Sequence, residues 1–172
     1  TTAANNIAVG KDALFQNTTG TGNTASGTFA GYNNTTGGNN TASGFRAFQD
    51  NTTGSSNVAI GAYALDDNTT ASNNTAVGYN SLTANTTGLE NAAFGSNAAS
   101  AVTVGTKNTA LGAYALRFDT QGTQSVAVGH QALGAQNFTS PTSAYNVAVG
   151  ANAGVSVTTG VQNTLIGGLA GD

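Results

Sequence analysis

The side chains best suited to acid–base or metal chemistry are His130, the only histidine, and Asp66–Asp67, the one adjacent acidic pair. A zinc site needs three or four His, Cys or carboxylate ligands, and a catalytic imidazole needs an acid to orient it. His130 has no second His and no Cys anywhere in the chain to join it, so it reads as a surface turn residue. Asp66 and Asp67 fall on chain that reads as extended, where neighbours point to opposite sides. No matching acid is expected beside them in adjacent repeats, so a general acid–base dyad does not follow. The glycine-rich stretches lack the Gly-Lys-Ser/Thr and the helix that a phosphate loop requires. The chain is therefore not expected to be an enzyme, and no catalytic residue, metal or cofactor is expected.

Two further patterns carry possible chemistry. Asn-Thr-Thr begins at residues 17, 34, 51, 68 and 85 and matches the N-glycosylation acceptor, which matters only in a eukaryotic secretory pathway. Repeated Thr columns suggest an ice-binding face. Adjacent Thr would, however, face opposite sides if extended, and the Gly that follows them makes the stretch read as a turn.

These residues hang on an unusual scaffold. Of 172 residues 24 are glycine and only 6% are charged, yet 38% are hydrophobic and recur at regular places, which argues for order. The four basic residues Lys11, Arg46, Lys107 and Arg117 lie far apart in a chain of net charge -3, so nucleic acid is not an expected partner. No apolar run approaches the roughly 18 to 20 residues of a membrane span, and no membrane insertion by this segment is expected. With no cysteine, neither a disulfide framework nor a thiolate metal site is possible.

Self-similarity sets the organisation. Gly10, Gly27, Gly44, Gly61, Gly78, Gly95, Gly112 and Gly129 are spaced by 17, Gly150 follows at 21, and Gly167 returns to 17. One unit reads N-T-A-V-G-x-x-A-L-x-x-N-T-T-G-x-x, and the numbers 1 to 17 below refer to it. Residues 1–172 form a single repeat array: a partial coil over 1–5, coils from residue 6 onward, and a four-residue insertion within 136–144. The array starts at position 13 of a unit and stops at position 10 of another. Neither is a capping coil, so the array is expected to be a fragment of a longer fibre.

The 17-residue period is too short for a helix pair. Positions 1 to 5, with β-branched residues at 2 and 4, predict a strand, and glycines at 5 and 15 predict turns through positive φ. Stacking gives an all-β fold, a parallel β-solenoid or β-roll of about ten 17-residue coils, on the order of 48 Å long. The apolar column at position 4 is expected to be mostly buried. Position 9 is Leu or Phe in most coils, but Gly31 and Gly154 replace it where Tyr32 and Val155 follow, so the apolar group is expected to shift one place and fill the same interior space. Position 1 is an expected amide-to-amide ladder of Asn6, Asn23, Asn40, Asn57, Asn74, Asn91, Asn108, Asn146 and Asn163. Asn17, Asn34, Asn51, Asn68 and Asn85 form a second candidate ladder. Phe138, Thr139 and Pro141 in the insertion form a candidate contact loop. Phe29, Tyr63, Tyr79 and Tyr114 are contact points for glycans or packing residues between subunits. So few large apolar side chains per coil imply that a second face is buried against identical chains. A filament grown by end-to-end stacking is an alternative.

Asn-Val-Ala-Ile-Gly at 57–61, Asn-Thr-Ala-Val-Gly at 74–78 and Asn-Val-Ala-Val-Gly at 146–150 resemble the head repeats of YadA-like trimeric autotransporter adhesins. The longer unit, with Ala-Leu and Asn-Thr-Thr-Gly, also resembles repeat shafts of phage tail fibres. The resemblance covers essentially the whole chain, although the 17-residue period is longer than the adhesin head unit. It implies a left-handed, homotrimeric β-roll outside the cell, on a cell surface or virion. The implied partners are the chain itself and a cell-surface glycan or protein receptor.

Overall fold

The computed structural model describes residues 3–172. Among them there is no helix; twelve short strands carry the fold. These are β1 (Ile7–Val9), β2 (Thr24–Ser26), β3 (Thr41–Ser43), β4 (Val58–Ile60), β5 (Thr75–Val77) and β6 (Ala92–Phe94). They continue as β7 (Thr109–Leu111), β8 (Gly122–Thr123), β9 (Val126–Val128), β10 (Thr142–Ser143), β11 (Val147–Val149) and β12 (Thr164–Ile166). Ten of the strands form one parallel sheet in the order β1-β2-β3-β4-β5-β6-β7-β9-β11-β12. Successive strands pair in strict register, Ala8 with Ala25, Ala25 with Ala42, and so on along the array. The chain is thus a parallel β-solenoid of nine turns. The turn with the insertion keeps register too: Ala127 pairs with Ala148, and the extra residues are carried outside the sheet.

Each strand of this sheet covers positions 2 to 4 only, shorter than the five residues expected. Within it the faces are the reverse of the expectation for position 4. Alanine at position 3 points inward and is buried in every coil from Ala25 to Ala148. Positions 2 and 4 point outward together, as strand alternation requires. The physical reason is width. A 17-residue turn closes around a narrow interior that is already filled by Asn at 1, Ala at 3, Ala at 8, Leu at 9 and Asn at 12, so only a methyl fits at position 3. Most turns bury one large apolar side chain rather than two.

The leucine reaches the interior through an unusual backbone. Tyr63 (φ 59°) and Leu65 (φ 50°) are both left-handed, with Ala64 between them. The alternation sends the Tyr63 N–H to Phe45 O in the preceding coil (3.0 Å) and the Leu65 N–H to Ser81 O in the following coil (3.1 Å). Inter-coil hydrogen bonds thereby offset a conformation that disfavours residues with a Cβ. The two glycine columns act differently. Gly78, at position 5, has φ 133°, and a Cβ there would lie 2.6 Å from Gly95 O, so only glycine serves. At position 15 the backbone is not in the positive-φ region. Glycine is wanted there because a Cβ on Gly37 would meet Gly54 O in the next coil.

The glycines at position 9 are also filled differently from the expectation. Tyr32 stays outside, stacked on Phe15 with ring centroids 5.3 Å apart, and Leu14 of the preceding coil packs over Gly31. Beside Gly154, Leu165 replaces the usual position-3 alanine, and its Cδ1 occupies the space a Cβ on Gly154 would enter. The apolar volume moves between coils, not to the next residue.

Candidate functional site

His130 is exposed and meets Tyr114 edge-on at 5.9 Å. Among the described residues, no three or more His, Cys, Asp or Glu come close enough to hold a metal ion. Asp66 and Asp67 lie in a turn rather than on extended chain, with Asp66 buried and Asp67 exposed, and Asp50 of the preceding coil lies near both, so a matching acid recurs after all. Asp66 pairs with Arg46 at 3.3 Å. Burial pushes its carboxyl up from the ordinary 3.8 to about 6; Arg46 pulls it down, while Asp67 and Asp50 push it further up. Asp67 is raised as well, first by burial and then by Asp50.

The asparagines are structural, in two distinct ways. At position 1 the ladder runs from side chain to backbone: Asn23 Oδ1 accepts from the Asn40 N–H (2.9 Å), and Asn23 Nδ2 donates to Gly37 O (2.8 Å). The same pattern holds at each asparagine from Asn6 to Asn146, interrupted at Ser125, so the expected amide-to-amide chain is not the rule there. That chain is found in the second column. Asn34 donates to Asn17, Asn51 to Asn34, Asn68 to Asn51 and Asn85 to Asn68, at 2.9, 2.6, 3.0 and 3.1 Å. It stops at Val102, leaving Asn85 Oδ1 buried without a hydrogen-bond partner. The next residue in the column is Asp119, an acceptor without an amide N–H to continue the run.

Around the insertion the substitutions compensate one another. Ser125 replaces the position-1 Asn, and the longer Gln136 fills the space, donating to Asp119 Oδ2 (2.6 Å) and Ser125 Oγ (3.0 Å) while accepting from Asn146 (2.8 Å). Asp119 Oδ1 accepts the Phe138 N–H at 3.1 Å. Phe138 is only 5% exposed, so it anchors the insertion and does not present a contact; Thr139 and Pro141 are at the exposed tip. The β8–β10 pair forms the base of this loop.

Two surfaces stand out. The first is the outward face of the main sheet, where Ile7, Ile60, Phe94, Leu111 and Ile166 are 58%, 41%, 40%, 47% and 71% exposed, with Val9 and Val149 alongside. The position-4 pattern contained this face, but apolar residues on both sides of a strand hid which side was out. The second is the edge where the chain leaves the sheet. Phe29, Phe45, Tyr63 and Tyr79 run edge to face from coil to coil, with centroids 5.4 to 6.4 Å apart. A cleft of about 320 Å³ opens among Phe29, Tyr32, Phe45, Arg46 and Gln49, and a smaller one of about 130 Å³ lies by Tyr114, Arg117 and Phe118. No helix among the described residues is long and apolar enough to cross a membrane. No family model, curated protein or solved structure matches the chain.

Proposed function

We propose that the chain is a segment of a homotrimeric attachment fibre, the shaft or head of a surface adhesin or phage tail fibre, that works outside the cell through rigid reach and polyvalent contact. The observation that carries this reading is the exposed apolar sheet face. Thr24, Ser26, Thr41 and Ser43 interrupt it at β2 and β3, so its continuous part runs from β4 to β12, where six steps of about 4.8 Å make it about 29 Å long and three residues make it roughly 7–10 Å wide. It therefore amounts to about 200–290 Å², a patch approaching the size that is often functional on a protein surface. An interior of Ala, Leu and Asn gives each turn little apolar burial of its own, so covering this face with identical chains supplies stabilisation that a single solenoid lacks. The number three and the attachment role rest on the resemblance of the repeats.

Light scattering over a concentration series, with circular dichroism on the same samples, tests the oligomer. A constant threefold mass with a β signal is the expected result. Ile60→Asp combined with Leu111→Asp places carboxylates on the covered face and should lower the mass to one chain. A folded wild-type monomer would refute the proposal, and growth without limit would favour the end-to-end filament.

A second reading, ice binding, draws support from one column. Thr19, Thr36, Thr53, Thr70 and Thr87, at position 14, form an exposed rank, whereas the Thr35 and Thr52 hydroxyls beside it bond to the next coil's backbone. Thermal hysteresis in a monomer, abolished by Thr53→Lys, would favour that reading over the fibre.

A further inference from the structure

We infer that the cleft at Tyr114, Arg117 and Phe118 is a binding site for a carboxylate-bearing sugar ring of a surface glycan. The Arg117 guanidinium carbon sits 4.9 Å from the Tyr114 ring centroid and 4.7 Å from that of Phe118. Its planar fork thus packs against both rings, which restricts the side chain before a ligand engages it. Among the described residues it has no carboxylate within ion-pair distance, in contrast to Arg46 with Asp66. The acid nearest in sequence, Asp119, is turned into the solenoid, where its oxygens accept from Gln136, Gly122 and Phe138. A fixed cation with five donors is therefore left uncompensated at the surface of a chain whose net charge is -3.

The surroundings narrow the class of ligand. Gln131 offers an amide, and Ala135 and Val155 give an apolar wall. The volume of about 130 Å³ is smaller than the roughly 150 Å³ that accommodates a benzene ring, and the cleft is open on one side, so it takes the carboxylate-bearing edge of one sugar ring with the rest of the ring outside. A ring with apolar C–H faces, hydroxyls for an amide and a carboxylate for a guanidinium is an acidic sugar. Bidentate pairing to the carboxylate supplies the selectivity over neutral sugars.

This deepens the attachment reading without depending on the trimer, because every group named belongs to one chain. The test is a titration of the intact chain with glucuronic acid, with N-acetylneuraminic acid and with glucose, followed by isotope-edited NMR of the Arg117 guanidinium. One or both acids should shift the Arg117 resonances saturably while glucose does not. Arg117→Gln should weaken binding about tenfold or more, the loss of one charge-assisted pair, and Arg117→Lys should restore only part of it. Thermal melts should show Arg117→Lys close to the wild type and Arg117→Gln folded but slightly less stable, since glutamine gives up the contacts with both rings. The inference fails if glucose binds as well as the acids, if neither acid shifts Arg117, or if Arg117→Gln binds as the wild type does. A monomer that binds glucuronic acid would keep this site and refute the oligomer; a trimer indifferent to both acids would do the reverse.

Discussion

Replacing Asn51 by Val removes the central rung of the buried amide ladder, with a side chain already present in the same column at Val102. Asn51 makes four side-chain hydrogen bonds: Nδ2 donates to Asn34 Oδ1 (2.6 Å) and Gly54 O (3.1 Å), while Oδ1 accepts from Asn68 Nδ2 (3.0 Å) and the Gly54 N–H (3.0 Å). Two of the partners keep another bond, Gly54 O from Asn40 and Asn68 Nδ2 to Ala71 O. The other two, Asn34 Oδ1 and the Gly54 N–H, are left buried and unpaired. At about 1–3 kcal/mol for each such group, Asn51→Val should destabilise the fold by about 2–6 kcal/mol. The same substitution at Asn17, the partly exposed first rung, orphans nothing buried: Gly20 O retains the bond from Asn6, and Asn34 Nδ2 retains Gly37 O. It should cost under about 1 kcal/mol. Guanidinium-induced unfolding followed by circular dichroism measures both variants against the wild type. Equal costs at the two positions, or a cost below about 1 kcal/mol at Asn51, would show that ladder satisfaction does not stabilise the coil.

Asp66, raised by burial from 3.8 to about 6, holds its proton more tightly in the folded chain. Its stabilising effect is full below the lower value, is lost as pH rises to about 6, and is flat above that. Asp66→Asn should remove most of this slope in unfolding midpoints taken from pH 3.5 to 7.5, with Asp67 leaving a small residue; an unchanged slope would contradict the assignment. Leu165→Ala should cost about 1–3 kcal/mol because it empties the space over Gly154. Adding Gly154→Leu returns both columns to the common pattern and should recover part of that loss in denaturant melts, whereas a double variant weaker than either single one would rule out the packing account. Gly78→Ala should cost about 3 kcal/mol or more, combining a φ of 133° with a clash on Gly95 O. Gly88→Ala should cost distinctly less, since Ala71 already stands at the equivalent position; a reversed order in thermal melts would mean that the two glycine columns are misassigned.

Much of the architecture could be read before any coordinates. The 17-residue glycine spacing and the single interval of 21 gave the coil, the parallel stack and the position of the insertion, because a stacked repeat must place equivalent residues in one column. Parallel pairing of Ala127 with Ala148 follows the same rule. The second asparagine column was legible as a ladder for that reason too.

What tertiary structure decided were direction and sharing. Apolar residues at positions 3 and 4 are adjacent on a strand, so one must face out; only the width of the closed coil puts alanine inside and leaves Ile60, Phe94 and Leu111 in water. Hydropathy alone favours the larger residue for burial, which is why the sequence reading chose wrongly. Compensation at a distance was equally hidden, since Leu165 serves Gly154 of the preceding coil and Gln136 serves Ser125 within one coil, across 11 residues of chain in each case. The conformation at Leu65 was hidden as well, because left-handed backbone is disfavoured locally and is sustained by hydrogen bonds to neighbouring coils. Periodicity reports which residues share a column; the space enclosed by a turn determines which columns are inside.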